Sequence, residues 1–245
     1  MSMGQQSVAG LRGSDLMWKG IRAWDMGVIV TDPAPLIRPG ARVETETIPG
    51  RSGSVDTGLW PDIYEDISLA PGLAIRPGYS RDAVAEWLTG SGRLILGDRP
   101  MDAYEGRVVD EFEIAETAPG HPDSYAALKP CFVVRPWRYE AIPAIPVPIL
   151  RGGRGYNPRG SAAAPLIRIR GEAGAVLAIQ CGDRTLTATL TASDAVIDCD
   201  WEAADGCRTG GDFLVLAPLT AWQASVTVSS GEVHSVTLEP RYRSL

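Results

Sequence analysis

Side-chain chemistry needs reacting groups within reach of one another, and few sets in this 245-residue chain meet that condition. Glu111 and Glu113 stand two residues apart. On a strand that spacing puts both carboxylates on one face about 7 Å apart, within the separation glycoside hydrolysis uses for its acid and base. Asp198 and Asp200 repeat the arrangement. Glu105 and Arg107 share the face of the first pair, so a solvated surface accounts for these carboxylates better than catalysis does. A serine nucleophile raised on a G-x-S-x-G turn is absent, and Gly50-Arg51-Ser52-Gly53-Ser54 has the wrong spacing. His121, between Gly120 and Pro122, reads as a loop residue and His234 as a strand residue, both exposed. Neither lysine, Lys19 or Lys129, lies in a phosphate-binding loop, and no H-E-x-x-H or calcium loop occurs.

Cys131, Cys181, Cys199 and Cys207 form no C-x-x-C pair, so zinc-finger spacing is absent. We read them as reduced and mostly buried, with a Cys199 to Cys207 disulfide as the minor alternative. The seven tryptophans include candidates for sugar stacking, but most are expected in a core or an interface. No catalytic, cofactor-binding or metal-binding residue is therefore expected. The chain reads as a binding or assembly protein rather than an enzyme.

The elements that must position these residues are short. Residues 1–15 show no hydrophobic period and are expected to be flexible. Apolar residues return at 16–30 as short strands broken near Asp25 and Gly27, and TDPAPLIRPG (31–40) is proline punctuation. ARVETETIPG (41–50) alternates as a strand and runs into the turn Pro49-Gly50-Arg51-Ser52-Gly53. The clearest helix lies between Ser80 and Thr89. Ser80 can cap it, Asp82 suits its first turn, Val84, Trp87 and Leu88 mark one face, and Gly90 can end it. RLIL (93–96) reads as a strand, as do residues 104–115, with Val108, Phe112 and Ile114 on one face.

Prolines at 143, 146 and 148 make residues 142–163 the best linker, with Arg-Gly-Gly-Arg-Gly (151–155) as a flexible joint. From residue 164 onward strict period-two alternation, as in Ile167/Ile169 and Leu186/Ala188/Leu190, predicts about seven strands in a small antiparallel sandwich. Strands are expected near 196–201, 213–216, 225–229 and 233–238. The division is thus a flexible segment at 1–15, a first domain at 16–141, a linker at 142–163 and a second domain at 164–245.

Composition supports the β reading and excludes several classes. Glycine and proline total 46 residues, about a fifth of the chain against roughly 12% in average usage, which favours turns and short strands. A net charge of -7 is the wrong sign for affinity based on neutralising nucleic-acid phosphates. No stretch approaches the roughly 20 apolar residues of a membrane helix, and the first residues lack a signal-peptide core. A soluble product made in the cytoplasm is expected.

A series of motifs then gives a resemblance. Asp25-x-Gly27-Val28 follows a short strand. Next come Ile48-Pro49-Gly50-Arg51-Ser52-Gly53-Ser54-Val55-Asp56 and Trp87-Leu88-Thr89-Gly90-Ser91-Gly92-Arg93-Leu94-Ile95. Asp98, Tyr104, Phe132 and Pro136-Trp137-Arg138-Tyr139 close the first half, and Asn157, residues 165–171 and Ile197-Asp198-Cys199 mark the second. In this order and spacing the chain resembles the distal tail proteins of bacteriophages and prophages with long, non-contractile tails, over roughly residues 16–243.

The resemblance implies a mainly β protein whose first domain is a sandwich or barrel-like unit with one short helix, and whose second is a galectin-like sandwich. It implies a homohexameric ring at the virion tail tip. The ring would join the tail tube protein to tail-tip and receptor-binding proteins, with DNA only as passing cargo and no membrane or cofactor. Asp25, Gly27, Pro49, Gly50, Arg51, Gly53, Asp56, Trp87, Gly90 and Gly92 are the expected assembly or turn residues, and residues 48–56 form a loop near ring or tube contacts. An acidic lumen, lined by Glu44, Glu46, Glu111 and Glu113, would let duplex DNA pass without adhering. The second domain leaves no room for an inserted carbohydrate-binding module or arm. Two rivals are a carbohydrate-binding sandwich used in host adsorption and a tail-associated hydrolase acting through Glu111 or Asp198.

Overall fold

The computed structural model describes residues 11, 13–42, 45–47, 49, 52, 54–56, 63–118, 121 and 124–245. The chain is mainly β and divides into two compact units, one running to Ala141 with the terminal Leu245, the other Ile142–Ser244.

In the first unit, one antiparallel sheet orders Ile21–Arg22, Leu16–Trp18, Ser91–Leu96, Asp102–Val108 and Phe132–Glu140, with Ile67–Leu69 also paired to the last. A second orders Ala115–Glu116, Ala126–Leu128, Gly72–Ile75 and Val28–Asp32. Trp18, Phe132, Tyr104 and Leu73 centre the core, where Trp18 meets Phe132 edge-on with centroids 5.1 Å apart. The helix Arg81–Leu88 forms as expected: the Ser80 hydroxyl accepts from the Ala83 amide at 3.3 Å, and Val84, Trp87 and Leu88 are buried. Each buried side chain of that size contributes roughly 1.5 to 3 kcal/mol. Gly90, with φ +82°, turns the chain out of the helix.

Two expectations fail here. Leu11 is buried, packing with Met17, Ile95, Ala103 and Ala141, so at least this part of residues 1–15 is held. The cause is the strand Leu16–Trp18, apolar on both faces, whose Met17 side needs a cover of its own. The strand expected across residues 104–115 stops at Val108 and a short strand resumes only at Ala115. Phe112 and Ile114 still pack against the core from the irregular stretch between.

The second unit is a pair of five-stranded antiparallel sheets. One orders Val147–Pro148, Val233–Glu239, Leu166–Gly171, Asp194–Asp198 and Ala203–Asp205. The other orders Gly153–Tyr156, Ala221–Ser230, Val176–Cys181, Arg184–Leu190 and Cys207–Gly211. Alternate residues Ile167, Ile169, Leu177, Ile179, Leu186 and Leu190 fill the core, as the period-two pattern requires.

The proline-rich residues 142–163 are not a free linker. Val147–Pro148 and Gly153–Tyr156 are end strands of the two sheets, and Ile149 is fully buried. Proline is tolerated on an edge because one side of the strand has no ladder to complete. Residues 213–216, expected as a strand, contribute buried Leu214 and Leu216 but only a single bridge, Leu216 to Ala163.

Candidate assembly site

The motif residues gather into three sets within the first unit. In the first, Ile21–Arg22 passes into a one-turn 3-10 helix, Ala23–Met26, which ends at Gly27 with φ +73° before Val28–Asp32 begins. A Cβ on Gly27 would lie 2.1 Å from Cγ of Tyr79. Only glycine fits this position, for backbone angle and for space alike. The Arg76 amide donates to the Gly27 carbonyl at 2.8 Å. Its guanidinium sits 3.9 Å from the Trp24 ring centre and 4.8 Å from that of Tyr79, and Nη2 donates to the Trp24 carbonyl and the Tyr79 hydroxyl. Trp24 and Tyr79 remain 54% and 45% exposed, so a rigid aromatic and guanidinium stack faces solvent. Asp25 is exposed beside it. The Arg22 guanidinium is held above its usual range, first by its hydrogen bond to Asp15, with partial desolvation opposing and the charges of Asp15 and Asp25 assisting.

Next to this stack lies a cleft of about 630 Å³ lined by Ser14, Asp15, Arg22, Trp24 and residues 28–30. Val28–Asp32 is the end strand of its sheet, so one side of its backbone has no strand partner among the described residues. Such an edge accepts an added strand unless it is covered.

The second set surrounds Trp87. Its indole nitrogen donates to the Trp18 carbonyl at 3.1 Å. Lys19, at φ +53° in the turn after Trp18, sends Nζ to the Thr89 carbonyl at the end of the helix, where a cation also suits the helix dipole. A Cβ on Gly92 would meet Lys19 Cγ at 2.6 Å. Gly90 and Gly92 therefore let the helix exit pass close beneath the Lys19 stem.

The third set is a hairpin. Thr45–Thr47 pairs with Ser54–Asp56 in the register Thr45 to Asp56, Glu46 to Val55 and Thr47 to Ser54, and among the described residues these strands pair with no others. Pro49 is exposed in the connecting turn. Gly50, Arg51 and Gly53, expected to shape that turn, lie outside the described residues, as does Glu44. At the hairpin's root Ala41 bridges Tyr64, Arg42 donates to the Ile63 carbonyl at 2.8 Å, and the Tyr64 ring meets Trp137 edge-on.

Asp25 and Gly27 are thus brought together, as are Trp87, Gly90 and Gly92, while Pro49 and Asp56 sit apart on the hairpin. The sequence reading missed Lys19, Arg76 and Tyr79. Glycine at 27 and 92 did not by itself reveal them, since Gly20 and Gly182 also border strands and have nothing near an added Cβ.

The candidate acids do not form a reaction centre. Glu111 and Glu113 are exposed on the irregular stretch rather than paired on a strand. Burial pushes the Asp198 carboxyl up, but hydrogen bonding and charge from Arg241, with the Asp200 and Trp201 amides, outweigh it and hold the group below its usual range. Asp200 pairs with Arg243 at 2.7 Å. His234 lies 3.4 Å from Glu232 at the surface, and His121 is exposed. All four cysteines are free, and burial pushes the Cys199 thiol up to about 11. Among the described residues no cluster of three His, Cys, Asp or Glu could hold a metal, and no helix is long and apolar enough to cross a membrane.

No protein-family model matches the chain, and no curated protein does. Among solved structures, the Dit protein of phage SPP1 aligns over 92% of this chain and 98% of its own, with a TM-score of 0.58 and 15% sequence identity. That protein is described as a paradigm of the hub adsorption apparatus in phages infecting Gram-positive bacteria. The chain thus adopts a mainly β fold like that of the SPP1 protein, in line with the β reading of the motif series.

Proposed function

We propose that this protein is a structural component of a phage or prophage tail, a distal tail protein that closes into a homohexameric ring. The ring sits at the end of the tail tube and connects it to tail-tip and receptor-binding proteins, with DNA passing through the lumen. The observation that carries this reading is the likeness to the SPP1 hub protein across nearly the whole length of both chains, which includes both units. The free edge Val28–Asp32 and a hairpin that pairs only with itself among the described residues leave strand edges open to a neighbour. Closed symmetry turns such edges into a finite assembly instead of an aggregate.

Native mass measurement and negative-stain electron microscopy of the purified chain test the proposal. Six copies of 26.2 kDa give a particle of about 157 kDa with a central hole. A solitary 26.2 kDa particle, persisting when tail-tube and tail-tip proteins are supplied, would remove the reading.

A further inference from the structure

The two sheets of the second unit present different outer faces. On the sheet containing Leu166–Gly171, outward charges are matched: Arg170 pairs with Asp194 at 2.8 Å and Arg168 faces Glu239 at 3.9 Å. On the sheet containing Ala221–Ser230, no Asp or Glu occupies an outward position on any of the five strands. Hydroxyls and an amide stand in register on its outward side, Ser225 beside Gln180 beside Thr185, with Thr227 and Thr187 flanking the small Ala178. Thr189 continues the row toward Arg208.

Two arginines mark diagonally opposite corners of this platform. Arg154, on the end strand Gly153–Tyr156, and Arg208, on the end strand Cys207–Gly211, are both exposed, and neither has an ion-pair partner among the described residues. From strand spacing and rise they stand on the order of 25 to 30 Å apart. Tyr156 lies outward next to Arg154 and is 53% exposed, and its cross-strand neighbour is the small Ala221, which leaves the ring face open. In a chain of net charge -7, the five strands of this sheet carry three arginines, Arg154, Arg184 and Arg208, and no carboxylate, the nearest exposed acids being Asp183 and Asp212 in the adjoining segments.

We infer that this face binds an extended anionic polysaccharide, a polymer of hydroxyl-rich rings bearing carboxylate or phosphate groups. Ser and Thr hydroxyls each donate and accept, and Gln does both through its amide, so the platform can match sugar hydroxyls in either sense. Thr187 already donates to the Gly210 carbonyl at 3.0 Å, which orients its oxygen as an acceptor. The arginines meet the polymer's anionic groups with charge-assisted bonds. Tyr156 supplies an apolar ring face for one sugar. On the opposite sheet Arg168 and Arg170 are already occupied by Glu239 and Asp194, so they offer the polymer no unpaired cation. The inference does not require the ring, since every part of the platform lies in one unit of one chain.

Titration of the full chain with polygalacturonate oligomers, read by NMR shift changes, tests it. Neutral dextran oligomers and polyglutamate, which has charge without sugar rings, serve as comparison probes. We expect polygalacturonate to bind at least tenfold more tightly than either, with shifts confined to the platform. Arg154→Gln with Arg208→Gln should weaken it at least tenfold and Thr187→Val about threefold, at unchanged melting temperature. Arg168→Gln with Arg170→Gln, on the other sheet, should leave it unchanged. Absence of polygalacturonate binding, equal binding of polyglutamate, or full binding by the Arg154/Arg208 double variant would each overturn the inference. Ring formation, read separately by native mass, is unaffected by any of these results.

Discussion

Tyr79 lies where Gly27 has no side chain, its ring carbon 2.1 Å from the position a Cβ would take. Gly27→Ala meets both a left-handed backbone, which costs about 1 to 2 kcal/mol, and a ring that must move, about 1 to 3 kcal/mol more. The expected loss is about 3 kcal/mol in the first unit, measured by denaturant unfolding. Adding Tyr79→Ala should recover the steric part, so the double variant will be less destabilised than the sum of the singles.

Trp87 joins the helix to the first strand through one hydrogen bond to the Trp18 carbonyl. Trp87→Phe keeps most of the packing and removes that bond, so a loss of about 1 to 2 kcal/mol is expected. Lys19→Ala should cost less, about 0.5 to 1 kcal/mol, because the lysine acts only at the solvated helix end. Thermal melts of both variants check the order.

In the second unit Asn157 is the one fully buried polar residue among those described. Its amide nitrogen donates to the carbonyls of Ser161 and Leu216, and its oxygen accepts from the Arg159 amide. Asn157→Ala leaves these groups without partners, and a loss of about 3 kcal/mol is expected. Asn157→Asp should be worse at neutral pH, since a carboxylate would face two carbonyl oxygens. Urea midpoints for the second unit give the comparison.

The Asp198 carboxyl titrates lower when folded than when unfolded. A depressed folded value means that its stabilising effect is present above the unfolded value near 3.8 and fades as pH falls through the folded one. The second unit should therefore lose stability below about pH 4. Asp198→Asn should flatten that acid slope and cost about 2 kcal/mol at pH 7 by removing the carboxylate that Arg241 donates to, while its bond to the Ala164 carbonyl stays. Melting temperature measured from pH 2 to pH 7 for both proteins tests the sign.

If the edge Val28–Asp32 is a ring contact, Ile29→Lys, which places a charge in the cleft, should block strand addition without unfolding the monomer. The expected outcome is a chain with an unchanged β spectrum that no longer assembles. Hexamers persisting in the variant would exclude this edge from the ring.

The second unit was largely legible because Ile167, Ile169, Leu177, Ile179, Leu186 and Leu190 alternate without interruption, and alternation is what a sheet with one wet face imposes. The strands Ala203–Asp205 and Cys207–Gly211 escaped because neither carries an alternating run of large apolar residues. Residues 142–163 misled for the opposite reason: three prolines signal a spacer, yet an end strand needs donors on one side only. In the first unit the Ser80 cap and the Trp87 face gave the helix directly. The aromatic stack on Arg76 was hidden, since it joins residues about fifty positions apart through a turn with no regular period. Gly27 and Gly92 were singled out by spacing, but the side chains that require them, Tyr79 and Lys19, became visible only in three dimensions.

Trp24, half in water against the Arg76 guanidinium, also borders the cleft along the free edge. Its indole is therefore a built-in optical gauge of that cleft. When a neighbouring molecule seals the groove, the Trp24 part of the emission, read as the difference from a Trp24→Phe variant because exposed Trp201 and the buried tryptophans emit as well, should shift to the blue. Docking on the first unit can then be followed in solution, in real time and without a label.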